Sequence, residues 1–390
     1  IISLFFCIVF YAVSPFNTFF NNNAYSLLFI LIIYMLIYHI LGLSVAWFSS
    51  KNRTGCRFDL WVLSAALIFS LLIEANNLLA LFSCYTALLG ISYALFGIND
   101  RKTQISLSSG ITGGIIFCLF GIAVGYFYQQ LGGNSGYAEL KDFLLQNRTS
   151  ALCFGAATAL VLPFFYALGI APLHIATEDK LSLSALPVSH VFATALPLAF
   201  WGAFIKLNII LYNAYTNVLG QVYLVFALIS VICGAIGANA RINLKRIYAY
   251  SSLYHFGLVL LLLSLGHKHT DFAGFVYLIA YLLSLNGAYL VFYSLKSHGE
   301  YLSSISDIAG LAETRAPATG ALAVSLFSLI GIPPLIGFLG LFNLSYELIK
   351  AEYFICLGVA FLFLLLLFKA YLGIIKTAYF EHKMRIFDTV

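Results

Sequence analysis

At 390 residues, 62% of them hydrophobic and only 9% charged, with a mean hydropathy of +0.97, the chain carries more apolar surface than a soluble core hides; the ordinary soluble balance is about half apolar and a quarter charged. The net charge of +5 comes from Lys and Arg spread between apolar blocks rather than along one face, which argues for membrane topology and against a nucleic-acid partner. Seven scattered cysteines, Cys7, Cys56, Cys84, Cys118, Cys153, Cys233 and Cys356, form no C-x-x-C and no Cys/His cluster, so a disulfide framework, haem, iron–sulfur or other metal site in this chain is not expected.

The apolar residues fall in blocks of about 20, the length of a membrane-crossing helix; a barrel shows short alternating segments instead. The opening block, 1–16, has no basic region before it and no small-residue cleavage site after it, and reads as a mature helix rather than a signal or transit peptide. Further spans are expected near 24–49, 58–75, 77–98, 106–128, 150–170, 186–212, 221–240, 248–266, 272–296, 317–349 and 353–380, about 12 in all. Gly110/Gly114 and Gly121/Gly125 let helices approach and are given to packing. The loop 129–148 is polar and mixed in charge, and its Asn147-Arg148-Thr149 sequon is more often a chance match than a glycan site. Abundant Phe (36) and Tyr (25) beside only 2 Met is the bias AT-rich codons produce, which points to an organelle gene.

With these spans, loops alternate sides. One side holds Lys51, Arg53, Arg57, Arg101, Lys102, Lys180, Arg241, Lys245, Arg246, Lys296, Arg315, Lys383 and Arg385; the other holds Lys141, Arg148, Lys268 and Lys350. Thirteen against four is the asymmetry of the positive-inside rule, so both termini are expected on the basic, cytoplasmic or matrix side. Lys206, Lys369 and Lys376 remain within spans. Lys376 is near an end and snorkels. Lys206 and Lys369 read as deeper, where an ionisable group is a functional candidate; a lysine reaching water in a cavity or at a subunit edge is about as common.

Two stretches read as interrupted helices. One, 163–187, carries Pro163, Gly169, Pro172 and Pro187; the other, 331–340, runs Gly331-Ile332-Pro333-Pro334 and on to Gly337 and Gly340. Proline removes a backbone donor and glycine weakens the helix, so each leaves free backbone groups at membrane depth. Breaks in two corresponding places mark the inverted repeats of transporters. The fold class is therefore an all-α polytopic membrane protein, one transmembrane domain over 1–390 with a first half 60–212 and a second half 213–380.

At Asn243-Leu244-Lys245-Arg246-Ile247-Tyr248-Ala249-Tyr250-Ser251-Ser252-Leu253-Tyr254-His255-Phe256-Gly257 the chain resembles the antiporter-like membrane subunits of respiratory complex I. Ile305-Ser306-Asp307-Ile308-Ala309-Gly310-Leu311 and Phe327 to Phe338 are similar to the subunit 2 (bacterial subunit N) branch of that family, and Ala75-Asn76-Asn77-Leu78-Leu79-Ala80-Leu81-Phe82, Gly169 to His174 and Pro187-Val188-Ser189 fit it as well. The resemblance covers about residues 60–380, with the N-terminus one helix short of the fourteen-helix pattern. It implies an antiporter-like bundle in the mitochondrial inner membrane, with matrix-side termini, other membrane-arm subunits and phospholipids as partners, and no nucleic acid. It implies a part in the NADH to ubiquinone electron transfer that drives proton translocation. No cofactor is expected in this chain; FMN, iron–sulfur clusters and ubiquinone belong to other subunits.

The resemblance also brings a departure. The family's glutamate slot falls on Thr86, and its three lysine slots fall on Ala167, Pro197 and Leu341. Proton transfer by the family's route needs a buried base whose pKa a neighbouring charge can swing, and none of the four is charged. The remaining candidate relay groups are Glu74, His174, His190, Lys206, His255 and Lys369. A neutral histidine in a span is more often a hydrogen-bonded packing residue than a relay. The reading is a complex I membrane-arm subunit whose own proton path is degraded. Its alternatives are a path rerouted through Glu74, Lys206 and Lys369, a free-standing cation/proton antiporter, which should keep a buried charge pair, and, least favoured, a quinone- or lipid-binding structural protein.

Cysteine-accessibility labelling is expected to find positions 57, 246 and 385 on one side of the membrane; position 246 opposite position 385 would overturn the span count.

Overall fold

The computed structural model describes residues 20, 24–49, 56–98, 102–266, 268–297, 300–301 and 304–381; the expected span 1–16 lies outside them. The helices in chain order are α1 (Ala24–Ser49), α2 (Cys56–Glu74), α3 (Leu78–Phe96), α4 (Lys102–Gln130), α5 (Tyr137–Gln146), α6 (Ala151–Leu168), α7 (His174–Leu183), α8 (Leu186–Ala193), α9 (Ala195–Asn239), α10 (Leu244–Ser264) and α11 (Lys268–Ser294). A two-stranded antiparallel ribbon, β1 (Lys296–Ser297) and β2 (Glu300–Tyr301), and a 3-10 turn over Ile305–Ile308 lead into α12 (Leu311–Thr314), α13 (Ala316–Ile330), α14 (Ile336–Lys350) and α15 (Phe354–Phe380). Nine helical stretches among the described residues are long and apolar enough to cross a membrane. The polar loop 129–148 contains a helix the periodicity did not reveal, α5. The expected span 186–212 is split at Thr194 (φ −123°, ψ −64°), three residues before Pro197. A second departure at Tyr215 (φ −128°, ψ 40°) makes α9 two helices.

The chain forms two compact units. One takes 1–41, 55–168 and 195–219; the other takes 42–54, 169–194 and 220–390, so the segment after the first break clusters with the C-terminal helices. In the first unit the short α2–α3 turn is fixed by a polar cap. Asn77 caps α3 by accepting from Leu79 N–H at 2.9 Å and from the Ser135 hydroxyl. Leu78 N–H bonds to the Ser135 carbonyl at 2.9 Å and Tyr137 N–H to the Asn76 carbonyl at 3.1 Å. Arg148 donates to the Asn213 carbonyl at 3.2 Å. The 75–77, 131–148 and 213 segments thus gather at one end, as the charge alternation expects.

In the second unit α10 is the central helix, its apolar span 94% buried against 33% for α15. Asn243 caps it by accepting from Lys245 N–H at 3.0 Å and Arg246 N–H at 3.3 Å; such a cap is worth about 1 kcal/mol. Ile305 N–H bonds to the Ile242 carbonyl at 3.0 Å and Arg315 to the Ser294 carbonyl at 3.0 Å, so the basic loops 240–246 and 294–315 meet at one end.

Both expected breaks are present and built alike. Each follows the pattern Gly-Ile-x-Pro, in Gly169-Ile170-Ala171-Pro172 and Gly331-Ile332-Pro333-Pro334. In each the glycine ends its helix at positive φ, 71° at Gly169 and 86° at Gly331, a backbone position that an L side chain strains. A serine from the bundle closes each break. Ala171 N–H bonds to the Ser230 hydroxyl at 3.0 Å, and Gly337 N–H to the Ser328 hydroxyl at 3.2 Å. Ser230 is near the middle of its apolar span 218–239. Ser328 pairs at 2.7 Å with Ser284, which stands well inside α11. Both breaks therefore lie near mid-membrane, where only internal partners are on offer.

Gly337 is expected to tolerate no side chain, because a Cβ there would overlap the Ser328 carbonyl. Gly337→Ala should lose about 1–3 kcal/mol or more of stability, read as a lower thermal midpoint in detergent; Gly358→Ala, with nothing within 4 Å, should be neutral.

Candidate functional site

Of the four slots that the sequence reading finds uncharged, Pro197 is buried and Thr86, Ala167 and Leu341 are half-buried. Thr86 turns its hydroxyl back to the Ser83 carbonyl at 2.8 Å. Ala167 sits on the last turn of α6 and Pro197 is buried at the start of α9. Leu341, on the second turn of α14, rests against Gly331 and so fills the inside of the second break.

The two lysines within apolar runs sit in different surroundings. In the first unit Gly202 is packed on Phe29 and Ile73, and Ile73 is the penultimate residue of α2. Lys206, one turn further along α9, is therefore at the level of the 75–77 turn, beside Glu74, whose charge acts on it. In the second unit Asn239, the last residue of α9, donates to the Leu366 carbonyl at 2.7 Å. Lys369 lies one turn beyond Leu366, exposed on the outside of α15, and Tyr371, two residues on, bonds to Ser251 within α10.

Two of the three candidate histidines, His190 and His255, hold side-chain hydrogen bonds in the second unit. His190 is fully buried, with Nε2 2.7 Å from Asn286 Oδ1 and its ring stacked on Tyr289 at 4.5 Å. His255 is buried on α10, with Nδ1 2.7 Å from the Tyr277 hydroxyl. Buried tyrosines fill the space around them: the Tyr254 hydroxyl donates to the Ala360 carbonyl at 2.8 Å and Tyr371 bonds to Ser251. His174 opens α7, half-buried, its ring edge-on to Tyr250 at 6.0 Å.

Beside His174 lies a cluster that the sequence reading missed. Glu178, buried on α7, accepts a hydrogen bond from the Tyr250 hydroxyl. Its other oxygen faces Arg241 at 3.3 Å and Arg246 Nε at 3.7 Å. Arg241 also donates to the Tyr250 hydroxyl at 3.0 Å and lies over its ring, 5.2 Å from the centroid. Outside the spans, Arg241 is pushed above the usual guanidinium value, first by its hydrogen bond to Tyr250, against burial, and then by the Glu178 charge. Lys245 donates to the Ser184 carbonyl at 2.8 Å, just past the C-terminus of α7. Half-helix α7 is thus fastened twice to the turn that starts α10. The recognisable N-x-K-R segment therefore supplies a helix cap in Asn243, a carbonyl clamp in Lys245 and half of an ion pair in Arg246. The signal for its partner was the Glu178-Asp179-Lys180 run between apolar stretches. Among the described residues no group of His, Cys, Asp and Glu could hold a metal ion.

A sequence family described as "NADH:quinone oxidoreductase/Mrp antiporter, TM" matches residues 75–368. The chain is 28% identical over 355 residues to a Rhodospirillum rubrum protein named NADH-quinone oxidoreductase subunit N, covering 89% of this chain and 72% of that protein. It is 29% identical over 345 residues to the Rickettsia bellii protein of the same name, covering 86% and 74%. Its fold matches a chain of respiratory complex I from Thermus thermophilus with a TM-score of 0.77 at 24% identity, over 94% of this chain and 79% of that one. It also matches a chain of the Mrp complex from Dietzia sp. DQ12-45-1b with a TM-score of 0.82 at 18% identity, over 93% and 67%.

Glu178→Gln should lower stability by about 1–3 kcal/mol, since it strips a charged acceptor from two arginines. A double-mutant cycle with Arg246→Gln should return a coupling of about 0.5–3 kcal/mol, while Lys369→Gln on the exposed face should stay within about 0.5 kcal/mol. Thermal melts of the purified chain in detergent read all three.

Proposed function

Because the chain belongs to the NADH:quinone oxidoreductase/Mrp antiporter family of transmembrane proteins, we propose that it is the subunit 2 (subunit N) type membrane-arm subunit of a respiratory complex I, in which the fold is kept while the family's own proton path is lost. The complex couples NADH to ubiquinone electron transfer to proton translocation; FMN, iron–sulfur clusters and ubiquinone belong to its other subunits. The codon-driven Phe and Tyr excess supports the mitochondrial inner membrane as its location, with the basic loops and both termini on the matrix side and with other membrane-arm subunits and phospholipids as neighbours.

The observation that carries the loss of the path is the position of the charges. All four slots are uncharged, and of the lysines within apolar helices Lys206 lies beside Glu74 at the 75–77 turn while Lys369 is exposed on the outer face of α15. A lysine at the bilayer centre costs about 2.5–3.5 kcal/mol on insertion scales. Once coupling no longer demands it, replacing it with Leu341 or Pro197 relieves that cost and fills the space. The other buried polar side chains of the second unit include hydroxyls and imidazoles, of which His190 and His255 each hold one side-chain hydrogen bond; that supports packing over relay.

Rerouting through Glu74, Lys206 and Lys369 is the second reading, favoured only by the electrostatic contact of Glu74 with Lys206. A free-standing antiporter is disfavoured, since it would need a buried charge pair at depth.

The test is the proton-to-electron ratio of the assembled complex in sealed vesicles. The ratio should fall below that of a relative with all four slots charged, and Lys206→Met and Lys369→Met should leave it unchanged. A full ratio that drops in either variant would establish the rerouted path instead.

A further inference from the structure

The two helix breaks are finished differently on their outer sides. At the second, the donors are satisfied from within. Gly331 N–H bonds to the Ser328 carbonyl at 3.0 Å, Ile332 N–H to Phe327 at 3.1 Å and Leu335 N–H to Ile332 at 3.0 Å. Pro333 and Pro334, however, are exposed, and no donor among the described residues reaches their carbonyls. The Ser284–Ser328 pair holds this break near mid-membrane, where hydrocarbon has no donor to offer. Irregular backbone is tolerated at that depth only when protein or a water-filled cavity covers it.

What continues from the break decides between those two covers. Ile336, Leu339, Phe342 and Tyr346 lie 41–58% exposed at spacings of 3, 3 and 4, one apolar stripe along α14. A water-filled cavity wall is polar, and this stripe is not. At the first break Pro172 is exposed as well, but the residues before it are buried, and the helix after it carries Glu178, Asp179 and Lys180 and is clamped from inside. Only the second break opens onto a continuous apolar face.

We propose that the Pro333-Pro334 break and the α14 stripe are the docking surface for a transmembrane helix of a neighbouring subunit, one that carries a side-chain hydrogen-bond donor at the height of Pro333 and Pro334. The apolar stripe takes the partner's apolar face; the two carbonyls take its donor. The inference rests on the reading of this chain as a subunit of a membrane complex, and narrows it to one face and one kind of contact.

The experiment uses the full chain in its native membrane with Phe342→p-benzoylphenylalanine, irradiated, solubilised mildly, resolved on a native gel and then by mass spectrometry of the adduct. The expected result is that the chain migrates in a large assembly and position 342 is joined to a transmembrane segment of a different subunit. That segment has a Lys, Arg, Asn, Gln, Ser, Thr, Tyr or Trp within about two turns of the adduct. Leu339→p-benzoylphenylalanine should reach the same segment one turn away. Migration in the assembly with only lipid adducts, with a second copy of this chain, or with a segment lacking a donor would overturn the docking proposal and leave the functional reading standing. Migration of the chain alone would overturn both.

Discussion

Hydrocarbon supplies no hydrogen-bond partner, and the structure is organised around that deficit. Continuous helices meet it trivially, by bonding their own backbone. The two Gly-Ile-x-Pro breaks do not, and each is finished by a serine hydroxyl, Ser230 reaching to Ala171 from α9 and Ser328, on the half-helix before the second break, reaching to Gly337. Serine suits the task because it is small enough to sit in a packed helix face while donating to its own helix, as Ser230 does to the Phe226 carbonyl at 2.7 Å. Gly337 belongs to the same solution, since only a residue without a Cβ lets α14 come down onto the Ser328 carbonyl.

The same deficit sorts the charges. Lys206 lies beside Glu74 at the end of α2, Lys369 is exposed on the outer face of α15, and Glu178 with Arg241 and Arg246 forms a cluster at the loop end of α7 and α10. Buried ion pairs gain little net stability, because desolvation offsets most of the Coulomb attraction; their clearer use is to fix geometry. The Glu178 cluster fits that use. Together with the Lys245 bond to Ser184 it sets where a ten-residue helix, too short to hold itself, stands against α10.

The breaks, caps and clamp together fix the shape of the second unit. On the proposed reading, Thr86, Ala167, Pro197 and Leu341 stand where coupling would require charge, and the architecture does not depend on charge at those positions.

Much of this was legible in the sequence because it depends on local chemistry. Apolar block length marked the spans, Pro and Gly marked both breaks, and the motifs pointed to the family that the comparison bears out. Depth was not legible. Lys206 and Lys369 look alike in the sequence, each within an apolar run, and only the tertiary contacts place Lys206 beside Glu74 and Lys369 on the exposed face of α15. The α5 helix was hidden in a polar loop for a related reason: it packs on its few apolar residues, Tyr137, Leu140 and Leu144, too few to stand out from the polar loop around them. Glu178 and Arg246 are 68 positions apart in sequence, and nothing local ties them. Their meeting is decided by the tertiary fold, because an ion pair is a relation in space and the sequence records only its two ends.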